Sequence, residues 1–200
     1  HTSERLIGGA IARDRDAWGV ATKFGHQFHG YLNRTDTRTP QTAVRELEAS
    51  LGALRTDRVD LWQYHSWGDD TFFNDDVMAA VLKARDAGKV RHVGNSVGRN
   101  TNVRQIDAST DRGVAAIQII YNRLDRSPEE EVFAVCIEQK LGVLARVPLG
   151  SGYLSGKYKP GATFAKEDVR SKMKPEDLDA RLEEVQRIAS KEVPKGVPMA

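Results

Sequence analysis

The stretch from Val59 to His65, reading Val-Asp-Leu-Trp-Gln-Tyr-His, constrains this chain more than any other. It is apolar or aromatic at nearly every step, contains no Gly or Pro, and is flanked by turn-forming residues. It is too short for a free-standing helix and reads as a strand buried on both faces, the kind found in parallel sheets covered by helices. It ends at His65 and opens into the polar loop Ser66-Trp67-Gly68-Asp69-Asp70. A titratable imidazole at the carboxyl end of a buried parallel strand stands where α/β proteins place their chemistry.

Strands and helices alternate around it. Residues 3–13 read as a helix, with Leu6, Ile7, Ala10 and Ile11 on one face and Ser3 as N-cap. Trp18 to Phe24 reads as a short strand, and residues 25–39 as a polar Gly- and Thr-rich loop carrying His26, Phe28, His29 and Tyr31. Thr39 caps a helix with Pro40 at its first position and a stripe of Val44, Leu47, Leu51 and Leu54. A helix over 75–87 is stopped by Gly88. A strand follows over 90–96, a helix over about 102–112, and a strand over 114–121. Ser127-Pro128-Glu129 opens a helix expected to run to Lys140, Leu141 to Val147 forms the fifth strand, and a last helix occupies about 176–191.

Such alternation predicts a parallel sheet. Successive strand ends lie on average about 31 residues apart, so eight such units need roughly 250 residues, the usual size of a (β/α)8 barrel. Five strands are found here. An open doubly wound sheet also has room for five, but its phosphate loop follows the first strand. Here the Gly-rich segment Pro148-Leu149-Gly150-Ser151-Gly152-Tyr153-Leu154-Ser155-Gly156-Lys157 follows the last, which favours one incomplete TIM-barrel domain over residues 1–200.

Composition narrows the partners. Thirty Lys and Arg against 28 Asp and Glu leave a net charge of +2, with both signs interspersed, so no field points to nucleic acid. No apolar run approaches the roughly 20 residues of a membrane helix, and Ser3-Glu4-Arg5 is unlike a signal peptide. Cys136 is the only cysteine and falls with Val132 and Phe133 on one helical face, as a small core residue. The expectation is a cytoplasmic protein with no membrane or nucleic-acid partner.

Six collinear segments then carry a resemblance. Ser3 to Gly8, Ala21-Thr22-Lys23, Asp57 to His65, Gly88-Lys89-Val90-Arg91, Gln118 to Asn122 and Pro148 to Tyr158 resemble the aldo-keto reductases, in the right order and over essentially the whole chain. The resemblance implies a (β/α)8 barrel that reduces a small carbonyl substrate, an aldehyde or ketone, with NADPH. It also implies an Asp, Tyr, Lys, His tetrad, in which Lys23 would be the lysine and His65 the histidine. The tetrad Asp and Tyr would precede His1, and the family's grip on the adenosine 2′-phosphate would follow Ala200. The 200-residue chain by itself is therefore expected to be inactive.

The chemistry suits these residue types. A carbonyl that accepts hydride becomes an alkoxide in need of a proton. A tyrosine phenol, with pKa near 10, supplies one near neutrality only when an ammonium stabilises its phenolate. Lys23 would be that ammonium, and His65 would orient the carbonyl. Without the resemblance, Lys23 reads equally as a solvated lysine at a strand end and His65 as a buried imidazole bonded to backbone.

By the same resemblance Ser96 and Gln118 would hold the nicotinamide carboxamide, with Asn95 standing near the family's usual amide donor and Ser96 reading also as a strand cap. Arg146 would stack on the nicotinamide ring or serve as a rim ion pair. The loop residues Pro148, Leu149, Gly150, Ser151, Gly152, Leu154, Gly156 and Lys157 would cradle a pyrophosphate, although such loops are often only turns. No Cys or carboxylate pattern makes a metal site of His26 and His29. Two other readings stay open: a non-enzymatic nucleotide-binding subunit resembling potassium-channel β subunits, and an aldolase using Lys23 as a Schiff-base nucleophile.

Overall fold

The computed structural model describes residues 1–30, 33–195, 197 and 199. In chain order the elements are α1 (Thr2–Ile11), β1 (Ala21–Phe24), β2 (His26–Gly30), β3 (Asn33–Asp36), α2 (Pro40–Leu54), β4 (Val59–His65), α3 (Asp69–Phe72), α4 (Asp75–Asp86), β5 (Val90–Ser96), α5 (Val103–Asp107), β6 (Val114–Ile120), α6 (Val132–Glu138), β7 (Gly142–Arg146) and α7 (Pro175–Glu192). Short 3₁₀ turns fill several of the connections. Strands β1, β4, β5, β6 and β7 form one sheet in that order, and β1, β4, β5 and β6 pair in parallel. These are the five strands expected from sequence.

The local signals explain most boundaries. Thr39 and Thr42 cap α2 reciprocally: the Thr42 N–H donates to the Thr39 hydroxyl and the Thr39 N–H to that of Thr42, with Pro40 at the first helical position. Gly88, with φ of +77°, ends the turn after α4. The chain divides into two compact units, His1–Ile119 with Glu131–Leu144, and Ile120–Glu130 with Ala145–Ala200. In the first, Phe24, Trp62, Tyr64, Val93, Ile117 and Ile119 of the sheet share one core with Leu47, Leu51 and Leu54 of α2 and Val77 and Val81 of α4. Each such fully buried side chain contributes about 1.5–3 kcal/mol. In the second, Tyr153 and Leu154 pack with Leu178, Leu182, Val185 and Ile188 of α7.

Four expectations are corrected. Residues 25–39 are not a plain loop: β2 and β3 form an antiparallel hairpin pairing His26 with Asp36, Gln27 with Thr35 and Phe28 with Arg34. Most of both strands is exposed, so no apolar alternation announces them; residues 31 and 32, Tyr31 included, lie outside those described. The helix expected over 102–112 ends at Asp107, where the Ser109 hydroxyl turns back to the Gln105 carbonyl at 2.9 Å. The helix expected from Ser127 splits, because Asp125 binds Ser127 and Glu129 is tied to Arg126 and Tyr121, leaving a 3₁₀ turn before α6. Ser3 lies inside α1, with His1 at the cap position. Cys136 is a buried core residue, and among the described residues no helix is long and apolar enough to cross a membrane.

Candidate functional site

In a strand, successive side chains leave on opposite faces, and residues paired across a parallel ladder share a face. The register therefore sorts the first unit's side chains. Phe24 pairs with Tyr64, Tyr64 with Asn95 and Asn95 with Ile117, which puts all four on the helix-covered face. Lys23 pairs with Gln63, His65 with Ser96, and Ser96 with Gln118. Since Gln63 and His65 are two apart on β4, Lys23, Gln63, His65, Ser96 and Gln118 share the other face, at or near the strands' carboxyl ends. Lys23, His65 and Gln118 are half-buried, and Ser96 is buried.

The polar groups at the two ends of the strands are treated differently. At the amino end Asp60 is saturated: it accepts from the Val20 N–H, an Arg15 Nη and an Arg91 Nη, each at 2.8 Å. Burial by itself would raise the Asp60 carboxyl, but these donors outweigh it and hold it below the usual range. At the carboxyl end of the shared face, Gln63 Oε1 and Gln118 Oε1 are buried without a hydrogen-bond partner. Each of these carboxamide oxygens can accept from an amide or hydroxyl donor. Gln63 was missed in the sequence reading, although its place two residues before His65 on one strand marks it.

Asn95 is excluded from this face. Its Nδ2 donates at 3.0 Å to Gln105 of α5, whose own amide donates to the Trp67 carbonyl and to Asp69. The side chain is wholly buried on the helix side, on the face opposite Ser96 and Gln118. Around His65 the hairpin supplies aromatic neighbours: the His26 ring lies edge-on with centroids 4.7 Å apart, and Phe28 lies at 6.4 Å. His26, expected as an open loop residue, is buried, with Nδ1 2.8 Å from Asp36 Oδ1. Among the described residues no three His, Cys, Asp or Glu are grouped to hold a metal ion.

The second unit holds the other candidates. Arg146 ends β7 half-buried, with its carbonyl accepting from the Tyr121 N–H at 3.3 Å, and burial draws its guanidinium below the usual pKa. After it, Val147, Gly150, Ser151, Gly152 and Gly156 all take positive φ. Such left-handed residues turn backbone N–H groups into concave arrangements. The N–H groups of Gly150, Gly152, Leu154 and Gly156 are engaged inside the loop, donating to carbonyls of Val147, Leu149 and Tyr153. Gly150 and Leu154 are buried anchors, Gly152 is half-buried, and Pro148, Leu149, Ser151, Gly156 and Lys157 are exposed. Arg170 lies 4.1 Å from the Phe164 ring centroid and 4.8 Å from that of Tyr158, and its fork holds the Asp168 carboxyl down at about 2.

Comparison with known proteins agrees with the architecture. The sequence profile of the Aldo/keto reductase family matches residues 1–196. The aldo-keto reductase YhdN of Bacillus subtilis is 33% identical over 179 residues, covering 84% of this chain and 50% of the relative. The aldo-keto reductase yakc of Schizosaccharomyces pombe, whose name specifies NADP(+), is 30% identical over 157 residues, covering 76% of this chain and 45% of the relative. The chain thus spans about half the length of the curated relatives it matches. The structure of a glycerol dehydrogenase from Gluconobacter oxydans superposes with a TM-score of 0.79 at 30% identity, covering 98% of this chain and 62% of that one. The five parallel strands with their helices are part of a (β/α)8 barrel, and the chain belongs to the aldo/keto reductase family.

Proposed function

We propose that the protein to which this chain belongs is an oxidoreductase that reduces aldehydes or ketones to alcohols with NADPH. The observation that carries this reading is the shared face on which Lys23, His65, Ser96 and Gln118 converge in register. The family match supports the reaction class, and the NADP(+) in one relative's name supports the choice of dinucleotide.

A reduced nicotinamide, when bound, supplies the hydride. The residues of this chain then have separate tasks. Lys23 carries the positive charge that lets a tyrosine phenol give up its proton to the carbonyl oxygen near neutral pH. His65 hydrogen-bonds that oxygen and fixes its direction before transfer. Gln118 Oε1, buried and unpartnered, suits the N–H of a carboxamide, and the buried Ser96 hydroxyl suits its carbonyl. In the second unit, Arg146 offers a flat guanidinium to an aromatic ring, and the loop of Pro148, Leu149, Gly150, Ser151, Gly152, Leu154, Gly156 and Lys157 offers positive charge and left-handed backbone to a pyrophosphate.

The test is nicotinamide-linked reduction of a small aldehyde by the full-length gene product. Lys23→Met should lower kcat by about 100-fold or more, the usual worth of a placed acid–base group. Unchanged turnover in that variant removes Lys23 from the chemistry. Dinucleotide binding without any turnover in the wild type favours a nucleotide-binding subunit instead, and borohydride trapping of substrate on Lys23 favours an aldolase.

A further inference from the structure

His26 raises a question that the proposed reaction does not answer. Its side chain is wholly buried, yet its Nε2 has no hydrogen-bond partner. A buried polar atom without a partner is costly, and an apolar side chain of similar volume would fill the same space without that cost. What an imidazole adds is a handle. Asp36 stands directly opposite on the hairpin, in register, and its Oδ1 accepts from the His26 Nδ1–H at 2.8 Å. The carboxylate is itself tied to an Arg38 Nη at 3.0 Å. An Nδ1–H committed to a carboxylate fixes both the tautomer and the plane of the ring.

That fixed plane meets His65. The two ring centroids lie 4.7 Å apart with planes inclined at 64°, an edge-to-face contact, and Phe28 flanks both rings at 6.3 and 6.4 Å. Burial, with help from the Arg34 charge, lowers the pKa of His26 despite the pull of Asp36. A neutral ring therefore faces His65. The structure leaves His65 at the end of β4 with one flank against a ring that is anchored from the hairpin.

We propose that Asp36 and His26 form a positioning pair for His65, with the carboxylate fixing the His26 ring and that ring fixing the rotamer of the His65 imidazole. The inference rests on the role in carbonyl binding given to His65 above, and it adds two residues, neither of which touches the reacting atoms. It also gives the hairpin β2–β3 a task.

The experiment uses the full-length protein and reads the imidazole carbon and nitrogen resonances of His65 beside steady-state kinetics. Asp36→Ala removes the handle at a half-exposed hairpin position, and circular dichroism of the variant checks that it folds. It should broaden or split the His65 signals. His26→Ala should do the same and lower kcat about 10-fold, a fraction of what a placed acid–base group supplies, with dinucleotide affinity unchanged. His26→Phe restores a ring without the handle and should recover part of the loss. His65 signals that stay sharp and unmoved in Asp36→Ala overturn the proposal, as does an unchanged kcat in an active His26→Ala enzyme. If the wild type reduces no carbonyl, the reductase reading fails by itself, and the His65 resonances of the Asp36 variant still decide for or against the positioning pair.

Discussion

At the scale of the residue, Asp60 shows how a charge can be structural. Its side chain is 17% exposed and accepts from one backbone N–H and two guanidinium groups. The folded-state pKa lies below the unfolded value, so the stability it contributes is present above roughly pH 4, the unfolded value, and is lost as pH falls through the folded one. Asp60→Asn leaves Arg15 and Arg91 facing an amide and should cost about 2 kcal/mol at pH 7, within the range for breaking one side of a partly buried charged network. Urea unfolding at several pH values checks the sign: the gap between wild type and variant should begin to narrow below about pH 4 and close only as pH falls through the lower native value, where the native carboxyl is itself protonated. A gap that persists undiminished in acid would mean that shape, not charge, is what Asp60 supplies.

At the scale of the element, β4 and the hairpin β2–β3 differ in how far they can be read from sequence. Strand β4 was legible because burial on the helix side forces Trp62 and Tyr64 to be large and apolar, and parity then puts Gln63 and His65 on the other face. The positions of Lys23, His65, Ser96 and Gln118 at the carboxyl ends follow from strand limits alone. Their register does not, because nothing in one strand's sequence states which residue of the next lies opposite. The hairpin was illegible for a different reason: among its described residues His26 alone is buried, so its strands lack a hydrophobic period. What fixes it is Gly25, with φ of +107° and an N–H donated to Glu46 at 2.8 Å. A Cβ built there would stand 1.9 Å from the buried Trp67 Nε1. Gly25→Ala must therefore displace Trp67 and strain the backbone together. It should cost about 3 kcal/mol or more, read as a fall in Tm with a loss of the near-ultraviolet signal of packed tryptophan.

At the scale of the whole molecule, the alternation of apolar runs with capped amphipathic helices announced five parallel strands, and five are present. What alternation could not announce is the cover each strand receives. Leu141 to Val147 reads as the fifth strand, yet Val143 and Leu144 are 41% and 42% exposed, because apolar composition records what a strand can bury and not what stands against it. Among the described residues β1 and β7 are the outermost strands of the sheet. Outer strands offer unpaired N–H and C=O groups, and apolar side chains on such an edge make it a template for another chain. The 200-residue chain on its own should therefore self-associate as its concentration rises, through β7 more than β1, whose residues Thr22 and Lys23 are polar. Val143→Lys places a charge on that edge, which natural sheets use to prevent pairing, and should keep the chain monomeric at concentrations where the wild type forms larger species. Size-exclusion chromatography with light scattering separates the outcomes. A wild-type chain that stays monomeric across the same range would show that the exposed edge of β7 is already protected by its own geometry.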